Sequence, residues 1–447
     1  MVLRIKLCAI AKDEGAYLLE WVGHHLYFGF DGIEVFINGT TDRSVPLMRR
    51  IRRAYPSVNF KVVDDLLADS LAQRRNFQYR AYWRMARRAN AQGYTHVAFM
   101  DLDEYWVPRD FTSSIAAFVP SAEDVNVVSF PWFVDLPQAG RSPWQPPVRE
   151  STPLQADPHV KSIIRMDDRI RQIRSHTART KAGRRLLVDE TFPLEDDVSQ
   201  QWGSIIAAEY FQSHRDRLPE AFILHAMHRS EAEYLASLAQ GLRQNGHETV
   251  FKVNRRGYTP SAGPVVTFDV PPDALARYGT HQLQFNEAVN PGKLIAESQQ
   301  SALQRRELLI ERALNEPMIM ETLAGPLQGI SEPRLDKAYP GWNTRLEWHI
   351  DDVRNVGDLW RARGWAFVGR SEARQLEFSV IDSAGDEQPF TCLREDRPDV
   401  RAVHSQAPLG CGFRVSVPGG GLKPSRPLRL RARVQGSAHW HFLYGSI

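Results

Sequence analysis

The chain has 447 residues, of which 43% are hydrophobic and 24% are charged, the balance of an ordinary soluble globular protein. This length exceeds what one hydrophobic core organises and predicts two or three domains. A formal net charge of +3 creates no general field for nucleic acid, and no run approaches the ~20 apolar residues of a membrane span.

The cysteines and the N-terminal residues indicate a compartment. Cys8, Cys392 and Cys411 form no Cys-x-x-Cys pair, which argues against a disulfide framework and a zinc cage. The first residues lack the apolar core and the cleavage site of a signal peptide. We therefore expect a protein of the reducing cytoplasm, and contact with the inner face of a membrane stays open.

Strands and helices alternate over the first hundred residues. The predicted strands are residues 3–11, 33–37, 60–63 and 95–100. Helical spacing of apolar residues predicts helices over 16–28, after Asp42, and over 70–91. Such alternation predicts an α/β fold with a mostly parallel sheet covered on both faces.

Polar clusters follow three of these strands. Asp13 and Glu14 follow the first, residues 38–42 follow the second, and residues 101–104 follow the fourth. The carboxyl ends of parallel strands share one edge, where open α/β sheets bind their ligands. The third helix adds a basic set that suits phosphate: Arg74, Arg75 and Arg80. A plain turn at 38–42 and a solvated helix face are the alternatives.

Asp101 and Asp103 stand one residue apart after the apolar run 97–100. Paired carboxylates suit Mg²⁺ or Mn²⁺, and such an ion can neutralise a departing diphosphate. The alternative is a strand end with solvated charges. No Gly-x-Gly-x-x-Gly and no Gly-x4-Gly-Lys-Ser/Thr occurs, so dinucleotide-enzyme and P-loop functions lose support.

Five segments in order resemble the glycosyltransferase family 2-like group that includes family 92. They are Lys-Asp-Glu with Tyr-Leu-Leu-Glu-Trp and His-His in 8–25, Asn-Gly-Thr-Thr-Asp-Arg-Ser in 38–44, Phe-Met-Asp-Leu-Asp-Glu-Tyr in 99–105, Lys-Ser-Ile-Ile-Arg in 161–165 with His176 after it, and His-Ala-Met-His-Arg-Ser in 225–230 with Glu233-Tyr234. The resemblance covers roughly residues 3–245. Two positions depart from it, because Asp13 replaces the usual Asn and residues 224–226 replace Asn-His-Tyr.

The resemblance implies a GT-A fold that binds a nucleotide-sugar. Its donor-binding positions are Asp13, Glu14, Asp42 and Asp101, and from the basic helix we add Arg75 as a contact for phosphate. Asp101 and Asp103 would hold the ribose and the metal-bound diphosphate, and His225 would be a further metal contact. An imidazole ligand suits Mn²⁺ better than Mg²⁺. The alternative for His225 is a packed histidine between apolar neighbours.

An inverting sugar transfer also needs a base for the acceptor hydroxyl. Asp135, after the apolar strand 125–130, and Asp196, in an acidic loop, are the candidates for this catalytic role. A strand-end turn and a solvated loop are their ordinary explanations. Three tryptophans could stack on sugar rings or belong to the core: Trp132, Trp144 and Trp202.

The second half of the chain changes in pattern. Residues 246–285 predict an irregular extension, 293–315 a surface helix, and 324–343 a Pro- and Gly-rich linker. Short alternating runs after 346 predict a small antiparallel β-sandwich. Its residues 364–366, 397–400 and 412–413 resemble a β-sandwich appendage of bacterial glycosyltransferases. The predicted domains are 1–245, 246–345 and 346–447.

These observations predict a cytoplasmic, metal-dependent glycosyltransferase of bacterial surface polysaccharide synthesis. The expected cofactor is Mn²⁺ or Mg²⁺, and the expected partners are a nucleotide-sugar donor and a glycan or lipid-linked acceptor, with no nucleic acid. One alternative is a haloacid dehalogenase-like phosphatase, although Tyr105 stands where that family has Thr or Val. The other is a catalytically inactive glycan-binding protein. The sequence leaves the sugar, the acceptor and the linkage open.

Overall fold

The computed structural model describes residues 2–122, 124–181, 184–188, 205–206, 208–244, 247–252, 255, 257–260, 263–323, 325–339, 346–368, 376–404, 407–418, 428–435 and 440–444. Within this part the chain forms two compact units. The first comprises 1–250 and 260–306, and the second comprises 251–259 and 307–447. The division into three domains at 245 and 345 stays a prediction.

The first unit is a mixed α/β structure, as predicted. Its strands are β1 (Ile5–Ala11), β2 (Gly32–Ile37), β3 (Val58–Val62), β4 (His96–Phe99), β5 (Glu104–Pro108), β6 (Val125–Asp135), β7 (Ser151–Arg165), β8 (Ile170–Ile173), β9 (Ala178–Thr180), β10 (Arg184–Leu187), β11 (Ala221–His225), β12 (Leu242–Gln244), β13 (His247–Thr249) and β14 (Val266–Asp269). Its helices are α1 (Leu18–Tyr27), α2 (Ser44–Ala54), α3 (Asp64–Ala72), α4 (Phe77–Ala91), α5 (Ala208–His214), α6 (Glu231–Leu238) and α7 (Pro272–Val289). The division between the units falls within α8 (Leu294–Asn315).

One large sheet organises the first unit. Its order is β3-β2-β1-β4-β7-β6-β11-β5, with β10 beside β6 and β14 beside β7. The four strands predicted from the first hundred residues are parallel to one another. β7 runs antiparallel to both β4 and β6, and β5 runs antiparallel to β11. Every residue of β2 is buried, as expected of a strand covered on both faces.

The predicted single helix over 70–91 is wrong. α3 ends at Ala72 and α4 begins at Phe77. Arg74 between them has a φ of +51°, which ends a helix. The side chain of Asn76 accepts a hydrogen bond from the backbone N–H of Tyr79 at 3.0 Å and so caps the new helix. The cap signal outweighed the helical propensity of the basic residues around it.

The predicted irregular extension over 246–285 is also wrong in its second half. α7 begins at Pro272, whose fixed φ and missing N–H suit the first turn of a helix. Tyr278 and Phe285, on one face of α7, are buried. The Tyr278 hydroxyl lies 3.1 Å from Nδ1 of His24 in α1. Tertiary packing therefore stabilises a helix whose own hydrophobic pattern is weak.

The second unit contains antiparallel sheets, as predicted. Its elements are α9 (Pro317–Leu323), α10 (Pro333–Ala338), β15 (Leu346–Val356), β16 (Leu359–Val368), β17 (Leu376–Ile381), β18 (Thr391–Glu395), α11 (Pro398–Val403), β19 (Gly412–Pro418), β20 (Arg429–Val434) and β21 (His441–Tyr444). One sheet has the order β15-β16-β19-β18 and the other β17-β20-β21. Buried residues of both sheets form one hydrophobic cluster. Its classification as a β-sandwich appendage stays a prediction.

Among the described residues, no helix combines the length and the apolar character needed to cross a bilayer.

Candidate functional site

The loops after β1 and β2 are hydrogen-bonded to each other at the carboxyl edge of the sheet. The backbone N–H of Asp13 donates to the Thr40 hydroxyl at 2.8 Å, and that of Gly15 donates to Oδ2 of Asp42 at 2.7 Å. A Cβ on Gly15 would lie 2.4 Å from Oγ of Ser298 in α8 and 2.8 Å from Oδ2 of Asp42, so a larger residue would force these side chains to move. The parallel pairing of β1 with β2 therefore brings the two predicted polar clusters together.

Asp13 is buried and holds the loop after β2. Its Oδ1 accepts hydrogen bonds from the backbone N–H groups of Thr41 at 2.5 Å and Asp42 at 3.2 Å, and from the Thr41 hydroxyl at 3.0 Å. Asp42 in turn accepts from the N–H of Ser44 at 2.9 Å and from its hydroxyl at 2.6 Å, where α2 begins. Both carboxylates thus build the loop itself, and their contact with a nucleotide stays a prediction.

Glu14 is hydrogen-bonded to Gln240, which follows α6. Nε2 of Gln240 donates to Oε1 of Glu14 at 3.2 Å, and the Gln240 carbonyl accepts from Nζ of Lys12 at 2.9 Å. Arg75, the predicted arginine, is exposed in the turn between α3 and α4. The structure therefore keeps Arg75 accessible but leaves Glu14 partly covered. Their donor-binding roles stay predictions.

The turn that carries Asp101 and Asp103 is held rigidly between β4 and β5. The indole N–H of Trp21 donates to the carbonyls of Asp101 at 3.1 Å and Glu104 at 2.8 Å. The carbonyl of Asp103 accepts from the N–H of Ala226 at 2.7 Å. These backbone contacts fix the main chain of the turn at the edge of the sheet.

Lys161 of β7 lies behind this turn. Its Nζ is 3.2 Å from Oδ2 of Asp101 and 3.1 Å from Oε2 of Glu104, and it donates to the Ser175 carbonyl at 3.1 Å. The lysine side chain is buried. Burial by itself would lower its pKa, but the charges of Asp101 and Glu104 raise the pKa above the usual value for lysine. Lys161 therefore stays charged and holds Asp101.

Asp103 and His225 form the pair that is best placed for a metal. Oδ2 of Asp103 lies 3.3 Å from Nε2 of His225, which ends β11. Two ligands at right angles around Mg²⁺, each ~2.1 Å from it, would be about 3.0 Å apart. Nδ1 of His225 makes no hydrogen bond with the described residues, so it can carry the proton while Nε2 offers its lone pair.

The third predicted ligand is placed differently. Asp101 faces Lys161 through Oδ2, although 45% of its side chain is exposed. Within the described part of the chain, no three His, Cys, Asp or Glu side chains converge in a group that could hold a metal ion. Asp103 and His225 are thus the two described side chains that would hold such an ion. The metal itself stays a prediction.

An aromatic cluster continues from this pair across the sheet. The ring centroid of Trp132 lies 4.4 Å from that of His225, 5.1 Å from that of His159 and 5.3 Å from that of His176. Burial and the nearby charge of Lys161 lower the pKa of His176 to about 3, so its imidazole is neutral. Trp132, one of the predicted sugar-stacking residues, is thus next to His225 of the Asp103–His225 pair.

His159 is paired with Asp157 at an irregularity of β7. Residues opposite each other are Pro131 with Val160 and then Trp132 with Asp157, so Pro158 and His159 form a bulge. Nδ1 of His159 lies 2.6 Å from Oδ1 of Asp157. Burial alone would raise the pKa of Asp157, but the hydrogen bonds and charge of His159 lower it. Sequence reasoning missed this pair, whose signal is the triplet Asp-Pro-His.

Asp135, a predicted general base, is buried with its carboxylate fully engaged. Oδ1 accepts from the N–H of His228 at 2.9 Å, and Oδ2 accepts from the N–H of Arg229 at 2.9 Å and from the guanidinium of Arg141 at 3.2 Å. Burial would raise the pKa of Asp135, but His228 and Arg141 lower it. Its catalytic role stays a prediction. Asp196, the other candidate, and Trp202 lie outside the described residues.

A cavity of about 440 Å³ is lined in part by residues of α1 and α7. Trp144, with a φ of +67°, lies at its wall with its ring 5.7 Å from that of Tyr17. The guanidinium of Arg229 stacks 3.5 Å above the Tyr17 ring and donates to the Leu102 carbonyl at 3.0 Å. Burial raises the pKa of Glu20, which faces the cavity, to about 7. This cavity therefore adjoins the backbone of the aspartate turn.

Comparisons with known proteins found structural matches of low sequence identity. No family model and no curated protein matches the sequence. Among solved structures, the chain aligns with S. aureus TarS at 8% identity and a TM-score of 0.23, over 99% of this chain and 77% of that one. It aligns with a glycosyltransferase involved in the glycosylation of the major capsid of PBCV-1 at 12% identity and a TM-score of 0.16, over 36% of this chain and 60% of that one. Both TM-scores are too low to establish a shared fold.

Proposed function

We propose that the chain is a metal-dependent glycosyltransferase that moves a sugar from a nucleotide-sugar to a hydroxyl acceptor. The observation that carries the proposal is the Asp103–His225 pair, 3.3 Å apart at the edge of the sheet. A carboxylate and an imidazole this close suit a divalent transition ion. The loops after β1 and β2, to which the proposal assigns the nucleotide, lie along the same edge.

Each part of this edge has a role in the proposal. Asp103 and His225 would hold Mn²⁺ or Mg²⁺, which supplies positive charge to a diphosphate as it departs. Lys161 holds Asp101 by its Oδ2, which leaves the other oxygen for the donor. Asp13 and Asp42 shape the loops that border the nucleotide pocket. Arg75, exposed in the turn between α3 and α4, would add charge to phosphate binding.

The stereochemistry, the fold type and the acceptor class are also proposals. A single displacement with inversion suits a site in which Asp103 and His225 hold a metal ion and a separate residue acts as the base. For the fold we propose the GT-A type, since Asp-x-Asp follows β4, the last of the four parallel strands β1 to β4. For the acceptor we keep the class that the family resemblance implies, a glycan or lipid-linked sugar of a bacterial surface polysaccharide.

Calorimetry with a panel of nucleotide-sugars tests the proposal: UDP-glucose, UDP-galactose, UDP-N-acetylglucosamine and GDP-mannose. We expect one of them to bind in the presence of Mn²⁺ and to lose most of its affinity in excess EDTA. Without the ion, Asp101 and Asp103 repel the diphosphate. Equal affinity with and without EDTA would refute the metal role, and no binding by any donor would count against the function.

A further inference from the structure

We infer that His159, oriented by Asp157, is the general base that takes the proton from the acceptor hydroxyl. The inference rests on the proposed glycosyltransferase function and adds a catalytic residue to it. It begins from the position of the pair. The Trp132 ring contacts both His225, the proposed metal ligand, and His159. Its centroid lies 4.4 Å from that of His225 and 5.1 Å from that of His159.

The tautomer of His159 suits a base. Its Nδ1 lies 2.6 Å from Oδ1 of Asp157, so Nδ1 carries the proton and donates a hydrogen bond to the carboxylate. Nε2 then presents a lone pair. The same carboxylate oxygen accepts the backbone N–H of His159 at 3.0 Å, which fixes the ring relative to its own main chain. A carboxylate that orients an imidazole in this way is the arrangement that makes histidine an effective base.

The bulge in β7 explains how His159 reaches the site. A regular ladder would place alternate residues on opposite faces of the sheet. The register shift between Pro131 and Trp132 leaves His159 out of that ladder and lets its ring lie against Trp132. Bulges occur often beside active sites, where they re-aim a side chain.

The described groups around the pair leave His159 accessible to an acceptor. Among the described residues, the rings of Trp132 and His176 face it, and the pKa of His176 is about 3, so His176 adds no charge of its own. Lys161 lies 6.0 Å from the Trp132 ring, and its charge is held by Asp101 and Glu104. The His159 and Asp157 side chains are 37% and 34% exposed, so an acceptor can reach them.

The proposed step balances as a single displacement. The acceptor oxygen forms a bond to the anomeric carbon while the bond from that carbon to the diphosphate oxygen breaks. The electron pair of the broken bond leaves with the diphosphate. The acceptor proton moves to Nε2 of His159, and the carboxylate of Asp157 stabilises the resulting imidazolium until the proton passes to solvent.

The pair has little value for folding alone. A half-exposed ion pair contributes almost nothing to stability, because solvent screens it and both side chains lose freedom. Replacing His159 should therefore leave the fold and the donor site intact. The second unit offers a matched control, because Nδ1 of His404 lies 3.3 Å from Oε2 of Glu347 there.

The test measures nucleoside diphosphate release from the nucleotide-sugar that the wild-type chain binds with Mn²⁺, with water as acceptor. We expect His159→Gln and His159→Ala to slow release about 100-fold or more, with unchanged donor affinity in calorimetry. Asp157→Asn should slow release less, and His404→Ala should not change it. Added imidazole should restore part of the rate in His159→Gly, which a purely structural role would not allow.

The outcomes separate the two proposals. If the wild-type chain binds and cleaves a donor and His159→Ala does so within threefold of its rate, the base assignment is wrong and the proposed function stands. If His159→Ala and His159→Gln both lose donor affinity as much as rate, His159 shapes the donor site and the assignment is again wrong. If the wild-type chain binds no nucleotide-sugar, both proposals fail.

Discussion

The ammonium of Lys161 and the carboxylate of Glu104 lie 3.1 Å apart behind the aspartate turn, and neither side chain is more than 1% exposed. The two residues come from strands that are not neighbours in the sequence. Their pairing supports the turn from the inside while Asp103 faces outward. The contact is available because β7 lies beside β4 in the sheet and Glu104 follows β4 after a short turn.

Lys161→Met should destabilise the protein by about 3–5 kcal/mol, because it leaves the Glu104 carboxylate buried without its partner. Urea unfolding followed by circular dichroism measures the change. The double variant Lys161→Met with Glu104→Gln should recover part of the loss, since no unpaired charge is then buried. A loss below about 1 kcal/mol in the single variant would show that the pair is not an important support.

Asp103→Asn should abolish most of the sugar transfer. The amide keeps the shape of the side chain but loses the charge that attracts the metal, so the barrier should rise by ~3 kcal/mol or more. His225→Ala should weaken Mn²⁺ binding by less, because a neutral ligand is lost. Calorimetric titration of Mn²⁺ and donor cleavage rates measure both, with exposed Asp216→Asn as the control. Full activity of Asp103→Asn would refute its role as a metal ligand.

Asp13→Asn and Asp13→Ala should differ in stability. Asparagine keeps an oxygen that can accept the N–H groups of Thr41 and Asp42, and it tolerates the φ of +56° found at this position. Its cost should be about 1 kcal/mol or less. Alanine loses these hydrogen bonds and tolerates that φ poorly, at a cost of about 2 kcal/mol or more. Guanidinium unfolding distinguishes them, and equal values would contradict the proposed support of the loop.

Glu20 should make stability depend on pH. Burial raises its pKa to about 7, against about 4.3 in the unfolded chain. Between those values the folded chain holds a proton that the unfolded chain lacks. The stability that Glu20 contributes should therefore be fully present below about pH 4 and be lost as the pH rises to about 7, by up to about 1.4 kcal/mol per unit.

Thermal unfolding from pH 5 to pH 8 tests the role of Glu20. Glu20→Gln cannot lose a proton, so its Tm should fall less with rising pH than that of the wild-type chain. Glu287→Gln, at an exposed position of α7, is the matched control and should follow the wild-type curve. Identical curves for all three proteins would show that Glu20 ionises normally.

Much of the first unit was predictable from local pattern. Alternating apolar runs located β1 to β4, and the parallel order placed the clusters after β1, β2 and β4 at one edge. These features depend on side-chain periodicity within a few residues, which a single sequence displays. The break between α3 and α4 was missed because the basic run between Ser70 and Ala91 shows helical propensity throughout, and only the cap of Asn76 reveals a new start.

The sequence by itself determined which residues could do chemistry, and only the tertiary structure decided which of them meet. Lys161 reaches Asp101 because β7 lies antiparallel between β4 and β6. Asp13 turns inward to hold Thr41, although its position beside Glu14 looked like a ligand site. His159 meets Trp132 because a bulge shifts the register of two strands. Each of these contacts joins segments far apart in the chain, and its free energy depends on burial and on partners that no local pattern specifies.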